Sequence, residues 1–269
     1  MKVVIDPGHG GQDRSNHGPT GYVEADGVLD IGLRLRKLLE EAGYTIKMTR
    51  DSNETIGLYR RSEIANDWGG NLYLSLHTNA ASTPNAKGIE IFHSKNGLYG
   101  DQYHDEAKRV AEIILELLIE ATGLKNRGTK TRLMEKTTSS IYGRDYYAVI
   151  RRTRMPSLII ELGFHTNPKE EALLKTAEFR QKLAESIAAG VKKAYPVETP
   201  QEHSGGDTGE PEGKIFNEHQ LKVMIEGQEK LIDGYIEEGI FYVPIRFLEQ
   251  YGYKVRYDAR QPAVVIDKA

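Results

Sequence analysis

The 269-residue sequence contains no cysteine. That excludes disulfides and thiolate metal sites, is compatible with either side of a membrane, and leaves His, Asp and Glu as the only strong ligands. Also missing is any apolar run near the roughly 18–20 residues needed to span a bilayer, so membrane insertion is not expected. The N-terminus MKVVIDPGHGG enters a strand at once, without the charged, apolar and small-residue order of a signal peptide. Export would therefore need a leader outside this sequence or another machinery. Charge of one sign is scarce as well. A formal net charge of −3 is too mild to announce nucleic acid. What remains is a chain with 39% hydrophobic residues, long enough for one sizeable core or for a core plus a small second unit.

Residues 196–213, PVETPQEHSGGDTGEPEG, mark a boundary. They hold three prolines, four glycines and five acidic residues, with no Lys or Arg and no apolar period. As a flexible linker this stretch would span about 23 Å. It divides the chain into residues 1–195, with 28 basic against 25 acidic side chains, and residues 214–269, with 8 against 9. Neither part is a charged arm.

Within residues 1–195, strand and helix patterns alternate. Residues 2–6 read as a buried strand. From Gly27, Val28, Leu29, Ile31, Leu35, Leu38 and Leu39 recur at helical spacing until Gly43. TIKMTR, NLYLSLH, GIEIFH and SLIIEL read as strands. IGLYRRSEIANDW, residues 101–122 and residues 168–195 read as helices. The pattern predicts an α/β fold, a mixed, mostly parallel twisted sheet with helices on both faces, with chemistry gathered at the carboxyl ends of its strands.

Three strands end in residues that a core rejects. The first reaches Asp6 and then His9, the NLYLSLH strand ends at His77, and Glu161 is embedded between Ile160 and Leu162. Such groups at the mouth of an apolar strand cost several kcal/mol unless compensated, and one compensator is a metal ion. Two histidines with a carboxylate suit catalytic zinc, and Glu24, in the loop before the first helix, is the best third ligand. Plainer accounts stand beside this one. A histidine at a strand end is commonly just hydrogen-bonded, Glu161 could be a salt-bridged carboxylate, and Asp6-Pro7-Gly8 is a good turn without any function. His17, His93 and His165 also lie near turns or strand ends.

Taken together, VVIDPGHGGQD, Glu24 before an amphipathic helix, TRD followed by LYRRSEIAN, LYLSLHTNA, GIEIF and PSLIIELGFHTNP resemble the zinc-dependent N-acetylmuramoyl-L-alanine amidases. The resemblance covers nearly all of residues 1–195. It implies peptidoglycan as substrate, one Zn2+ held by His9, Glu24 and His77, and Glu161 as the catalytic carboxylate. Water activated by the metal would attack the amide between the lactyl group of N-acetylmuramic acid and L-alanine, with Glu161 passing its proton to the departing nitrogen. Asp6 would either orient a ligand histidine or serve the turn alone. SNHGPTG stands where relatives often read G-A-x-G, which keeps His17 as a rival or outer ligand. Arg61, Asn79 and Glu90 fall in matching segments without an assigned role. Loops 94–100 and 126–145 are the expected substrate contacts or a solvated surface.

The tail GIFYVPIRFLEQYGYKVRYD resembles the stalk module related to the copper amine oxidase N-terminal domain, with a helix expected over Pro244–Tyr251 and no ligand set for copper. Wall attachment and a passive spacer are its two readings. Two other functional classes are weighed for the whole chain. A non-catalytic wall-binding protein would have little use for His9, Glu24, His77 and Glu161 together, and a phosphate-binding loop lacks both the Lys-Ser/Thr pair and the G-x-G-x-x-G spacing. The chain would act at the bacterial wall, as a phage lysin or as an exported autolysin or spore-cortex enzyme. The sequence as it stands leans to the lysin.

Overall fold

A run of β-branched residues, Val3, Val4 and Ile5, forms β1 (Lys2–Pro7), which lies between parallel neighbours β2 (Thr45–Met48) and β3 (Leu72–Asn79). The computed structural model describes residues 1–197 and, beyond them, only strand segments. Six strands of the N-terminal unit form one sheet in the order β2-β1-β3-β6-β4-β5, completed by β4 (Ile89–His93), β5 (Asn126–Lys130) and β6 (Ser157–Phe164). β6 runs parallel to β3, β4 runs antiparallel to β6, and β5 is parallel to β4. The sheet is therefore mixed and mostly parallel, as the sequence pattern predicts.

Alternation along the strands splits the core in two. Val3, Ile5, Leu72, Leu74, Leu76, Leu158 and Ile160 pack beneath α1 (Glu24–Glu41), α3 (His104–Thr122) and α6 (Ala177–Ala194). Val4, Tyr73 and Ile159 face the other way, against Ala65 of α2 (Leu58–Trp68) and Val149 and Ile150 of α4 (Ala148–Arg152). Each Leu or Ile buried fully in these layers contributes about 1.5–3 kcal/mol. A short α5 (Pro168–Leu174), capped by the Asn167 side chain, follows β6.

The same parity places the polar residues. Asp6 lies opposite Ser75, His77 opposite Glu161, and Glu161 opposite Glu90, all on the face of α2 and α4. His77, Glu161 and Glu90 thus form one row across β3, β6 and β4.

Three boundaries differ from the sequence expectation. α1 begins at Glu24, so this carboxylate sits in the first turn of the helix and not in the preceding loop. β2 stops at Met48, which frees Thr49 and Arg50 to reach the β1 turn. β5 and α4 were not anticipated; β5 falls within a stretch read as loop.

A contact boundary between Glu202 and His203 sets off a second unit. Its described segments are β7 (His219–Ile225), β8 (Gln228–Glu237) and β9 (Ile240–Tyr242) in one antiparallel sheet, and β10 (Tyr253–Asp258) paired with β11 (Ala263–Lys268). The helix expected over Pro244–Tyr251 and most of the expected linker lie outside the described residues.

Candidate active site

The DPGHGG turn is held from below by buried charge. Asp6 is fully buried and accepts hydrogen bonds from Thr49 Oγ1 (2.5 Å), Tyr73 OH (2.6 Å), Ser75 Oγ (2.7 Å) and Arg61 Nη1 (2.7 Å). Burial alone would raise its pKa, but Arg61 and the three hydroxyls hold it below the usual carboxylate value. No histidine is among these partners, so Asp6 serves the turn and does not orient a ligand.

Arg61 also donates to Pro7 O and His9 O, both at 2.7 Å, while Arg50 donates to Pro7 O (2.9 Å) and Gly8 O (2.7 Å). Two guanidiniums thus satisfy carbonyls that the strand no longer pairs. The turn they fix is strained. His9 has φ 58°, the only positive φ at a non-glycine among the described residues. A left-handed backbone at a non-glycine costs about 1–3 kcal/mol and persists where the surroundings over-determine it.

His9, Glu24 and His77 converge, with one ligand atom from each within 4.8 Å of the others. Glu24 Oε1 lies 3.0 Å from His77 Nδ1, and its Oε2 lies 3.3 Å from His9 Nε2. Thr78 N donates to Oε1 (3.0 Å) and Asn16 Nδ2 to Oε2 (2.8 Å). His9 Nδ1 is 2.8 Å from Asp13 Oδ2, an arrangement that fixes the tautomer and leaves Nε2 facing the group. Burial alone would lower the pKa of His9, but Glu24 and then Asp13 bring it up to about 9. Burial opposes the shift at His77 too, and Glu24 again overcomes it and raises the pKa. The two histidines in turn hold Glu24 well below its ordinary value despite its burial. This is a negative carboxylate between two rings that hold protons readily.

Glu161 stands apart. Its Oε2 is enclosed and has no hydrogen-bond partner among the described residues. Burial pushes its carboxyl up to about 7, against the pull of His77 and with the added push of Glu24 and Glu90. Glu90 is itself neutralised by Arg127 (2.5 Å) and Lys130 (2.6 Å), and Asn79 donates to its other oxygen at 2.9 Å. A cavity of about 620 Å³ opens over His9, His77 and Glu161, walled by Leu58, Met134, Tyr146 and Tyr147.

The structure brings together His9, Glu24 and His77, and places Glu161 beside His77 in register. His17 is exposed and lies outside the group; its neighbour Asn16 points inward in its place, 3.2 Å from His9 Nε2. His165 is buried against Thr78 Oγ1 (2.9 Å), and His93 stacks on His104 away from the group. Sequence reasoning missed Asp13, Asn16 and Thr78 as partners and Arg50 as an anchor. Only Asp13 and Asn16, four and seven residues from His9, lay close enough to suggest a role.

The donor set is fit for zinc. Two imidazoles and a carboxylate match a three-ligand catalytic site, and an orphaned buried carboxylate oxygen in the same cavity fits a proton carrier. The fold is a mixed, mostly parallel α/β sheet that gathers a His-Glu-His group and a buried carboxylate around one cavity, the makings of a hydrolase site. Residues 3–193 match the family described as N-acetylmuramoyl-L-alanine amidase, Amidase_3, and the chain belongs to that family.

The amidase AmiA of Escherichia coli is 33% identical over 214 residues, covering 70% of this chain and 74% of AmiA. The probable cell wall amidase LytH of Staphylococcus aureus is 33% identical over 193 residues, covering 71% of this chain but 57% of LytH, so the match takes in little more than half of that relative. The amidase AmiC2 of Nostoc punctiforme superposes with a TM-score of 0.61 at 31% identity, covering 72% of this chain and 96% of that structure. The matched unit is an N-acetylmuramoyl-L-alanine amidase domain, a peptidoglycan hydrolase.

Proposed function

We propose that residues 1–195 hydrolyse the amide between N-acetylmuramic acid and L-alanine with one Zn2+ held by His9, Glu24 and His77, and that Glu161 carries the proton. The observation that carries this reading is the partnerless Glu161 Oε2 in a cavity shared with His9 and His77. The chemistry zinc supplies when bound is Lewis acidity, which brings the pKa of water from about 16 to about 7 and polarises a carbonyl.

The side chains do the rest. His9 and His77 give up their protons to become ligands, and Asp13 keeps the Nε2 of His9 turned inward. Asn16 and Thr78 hold Glu24 by its two oxygens, so the carboxylate cannot rotate away. Glu161, whose carboxyl pKa is raised by burial, accepts a proton from the attacking water and returns it to the leaving nitrogen of L-alanine. Without that return an amide nitrogen is a poor leaving group. Arg50 and Arg61 keep the His9 backbone where the ring needs it.

In this reading residues 196–213 are a linker and residues 214–269 a wall-associated unit, supported by the Pro, Gly and acid content of the first and the stalk-like pattern of the second. The enzyme acts at the bacterial cell wall. Digestion of purified peptidoglycan with and without chelator, followed by mass spectrometry, tests the bond assignment. Free stems beginning with L-alanine are expected only without chelator, whereas glycan fragments or cleaved cross-bridges would mean a different bond.

A further inference from the structure

Beside the cavity, on two of the tyrosines that line it, lies a cation that the reaction above does not use. Arg132 lies with its guanidinium 3.8 Å from the ring centre of Tyr146 and 5.7 Å from that of Tyr147, and its Nη1 is 3.4 Å from Tyr147 OH. Both tyrosines line the cavity with His9, His77 and Glu161. Among the described residues, Arg132 forms no ion pair with any carboxylate. Glu135, three residues on, contributes to its field without pairing. Two aromatic faces thus present a solvent-facing guanidinium whose five donors are almost unused.

The cluster is pre-set. Tyr146 N donates to Arg132 O at 2.8 Å, Leu133 bridges Asp145, and Met134 N donates to Arg144 O at 2.8 Å, so the two arms of loop 132–146 are tied together. Arg151 Nη1 then donates to Asp145 O and Tyr146 O, both at 2.7 Å, and Asp145 accepts from the backbone of Lys95 and Asn96. The ring of Tyr147 packs against Tyr146 (5.3 Å) and Phe92 (5.1 Å). A site held this way loses little side-chain freedom when it binds.

We propose that Arg132, held on Tyr146 and Tyr147, recognises a carboxylate of the peptide stem and sets the preference of the enzyme for stems bearing that free charge. The proposal rests on the amidase reading above. An anion suits the site on three counts: an unpaired planar fork matches a carboxylate in bidentate fashion, the two tyrosines hold the guanidinium in place, and the stem is the carboxylate-bearing part of this substrate.

The test uses the full chain loaded with zinc and two synthetic muramoyl peptides, identical except that the carboxylate nearest the scissile amide is free in one and amidated in the other. The wild type is expected to prefer the free form by about tenfold in kcat/KM, chiefly through KM. Arg132→Gln is expected to bring that ratio near one, and Arg132→Lys to recover only part of it, since a point charge does not reproduce the fork. Zinc content and thermal midpoint monitor folding of each variant. Equal rates on the two peptides by the wild type, or a ratio retained by Arg132→Gln, overturn the proposal. Cleavage of neither peptide by the wild type overturns the amidase reading itself, and the proposal with it.

Discussion

Gly8→Ala would strike the proposed metal group through one side chain and leave the backbone alone. A Cβ built on Gly8 would lie 2.2 Å from His77 Cε1, 2.5 Å from Nε2 and 2.7 Å from Nδ1. Carbon contacts settle at about 3.5–4.0 Å, so the imidazole would have to move by more than about 1 Å. Ligand distances tolerate about 0.2 Å, and a displaced His77 would leave two protein ligands of the proposed three. Zinc affinity is expected to fall by about 100-fold or more, since even supporting residues cost 10–100-fold.

Overpacking costs about 1–3 kcal/mol, within the ~5–15 kcal/mol of a typical domain, so the variant should still fold. Gly8 has no left-handed φ, so no backbone strain adds to this. Gly21→Ala is the matching control. It has φ 95° with nothing within 4 Å of a Cβ, so it should lose about 1–2 kcal/mol of stability with zinc affinity intact. The assay is zinc titration against a competing chelator alongside thermal unfolding of the metal-free proteins. A Gly8→Ala enzyme with wild-type zinc affinity would refute the steric argument.

Asp6→Ala leaves Arg61 buried without its carboxylate and is expected to cost about 3–5 kcal/mol in denaturant unfolding; a loss under about 1 kcal/mol would show that the four-donor hub is not structural. His9, raised to about 9 in the metal-free protein from about 6.5 unfolded, contributes stability that is complete below pH ~6.5 and lost as pH rises through 9. Zinc must displace the same proton, so over that window metal-free stability should fall while zinc affinity climbs. A flat affinity between pH 6.5 and 9 would contradict the protonated His9.

Much of the fold was legible because its strands are buried on both faces and read as apolar runs, as in VVI, LYLSL and SLIIEL. β5 escaped because NRGTK is a polar edge strand with no burial pattern, and α4 because five residues carry no helical period. The reversed direction of β4 is a matter of chain path that GIEIFH does not encode locally. His9, His77 and Glu161 stood out as polar residues in or just after apolar strands, and Glu24 as the acid just before the first helix. The residues that steady them did not, since Arg61 reaches Asp6 across 55 positions and Thr78 meets Glu24 across 54. His17 drew attention as a histidine near the motif, yet a polar turn exposes it and turns Asn16 inward. Gly8 lets the backbone pass close to the His77 ring, whereas a Cβ at Gly10 would face Glu54 O at 2.7 Å, away from the group.

The central claim is that binding the metal and moving the proton belong to different side chains. Zinc content and stem release measured together on Glu161→Gln test it most directly. The account expects zinc bound at one per chain with release of L-alanine-terminated stems down by about 100-fold or more, while His9→Ala and His77→Ala lose both. Unaltered turnover by a fully zinc-loaded Glu161→Gln enzyme would contradict it.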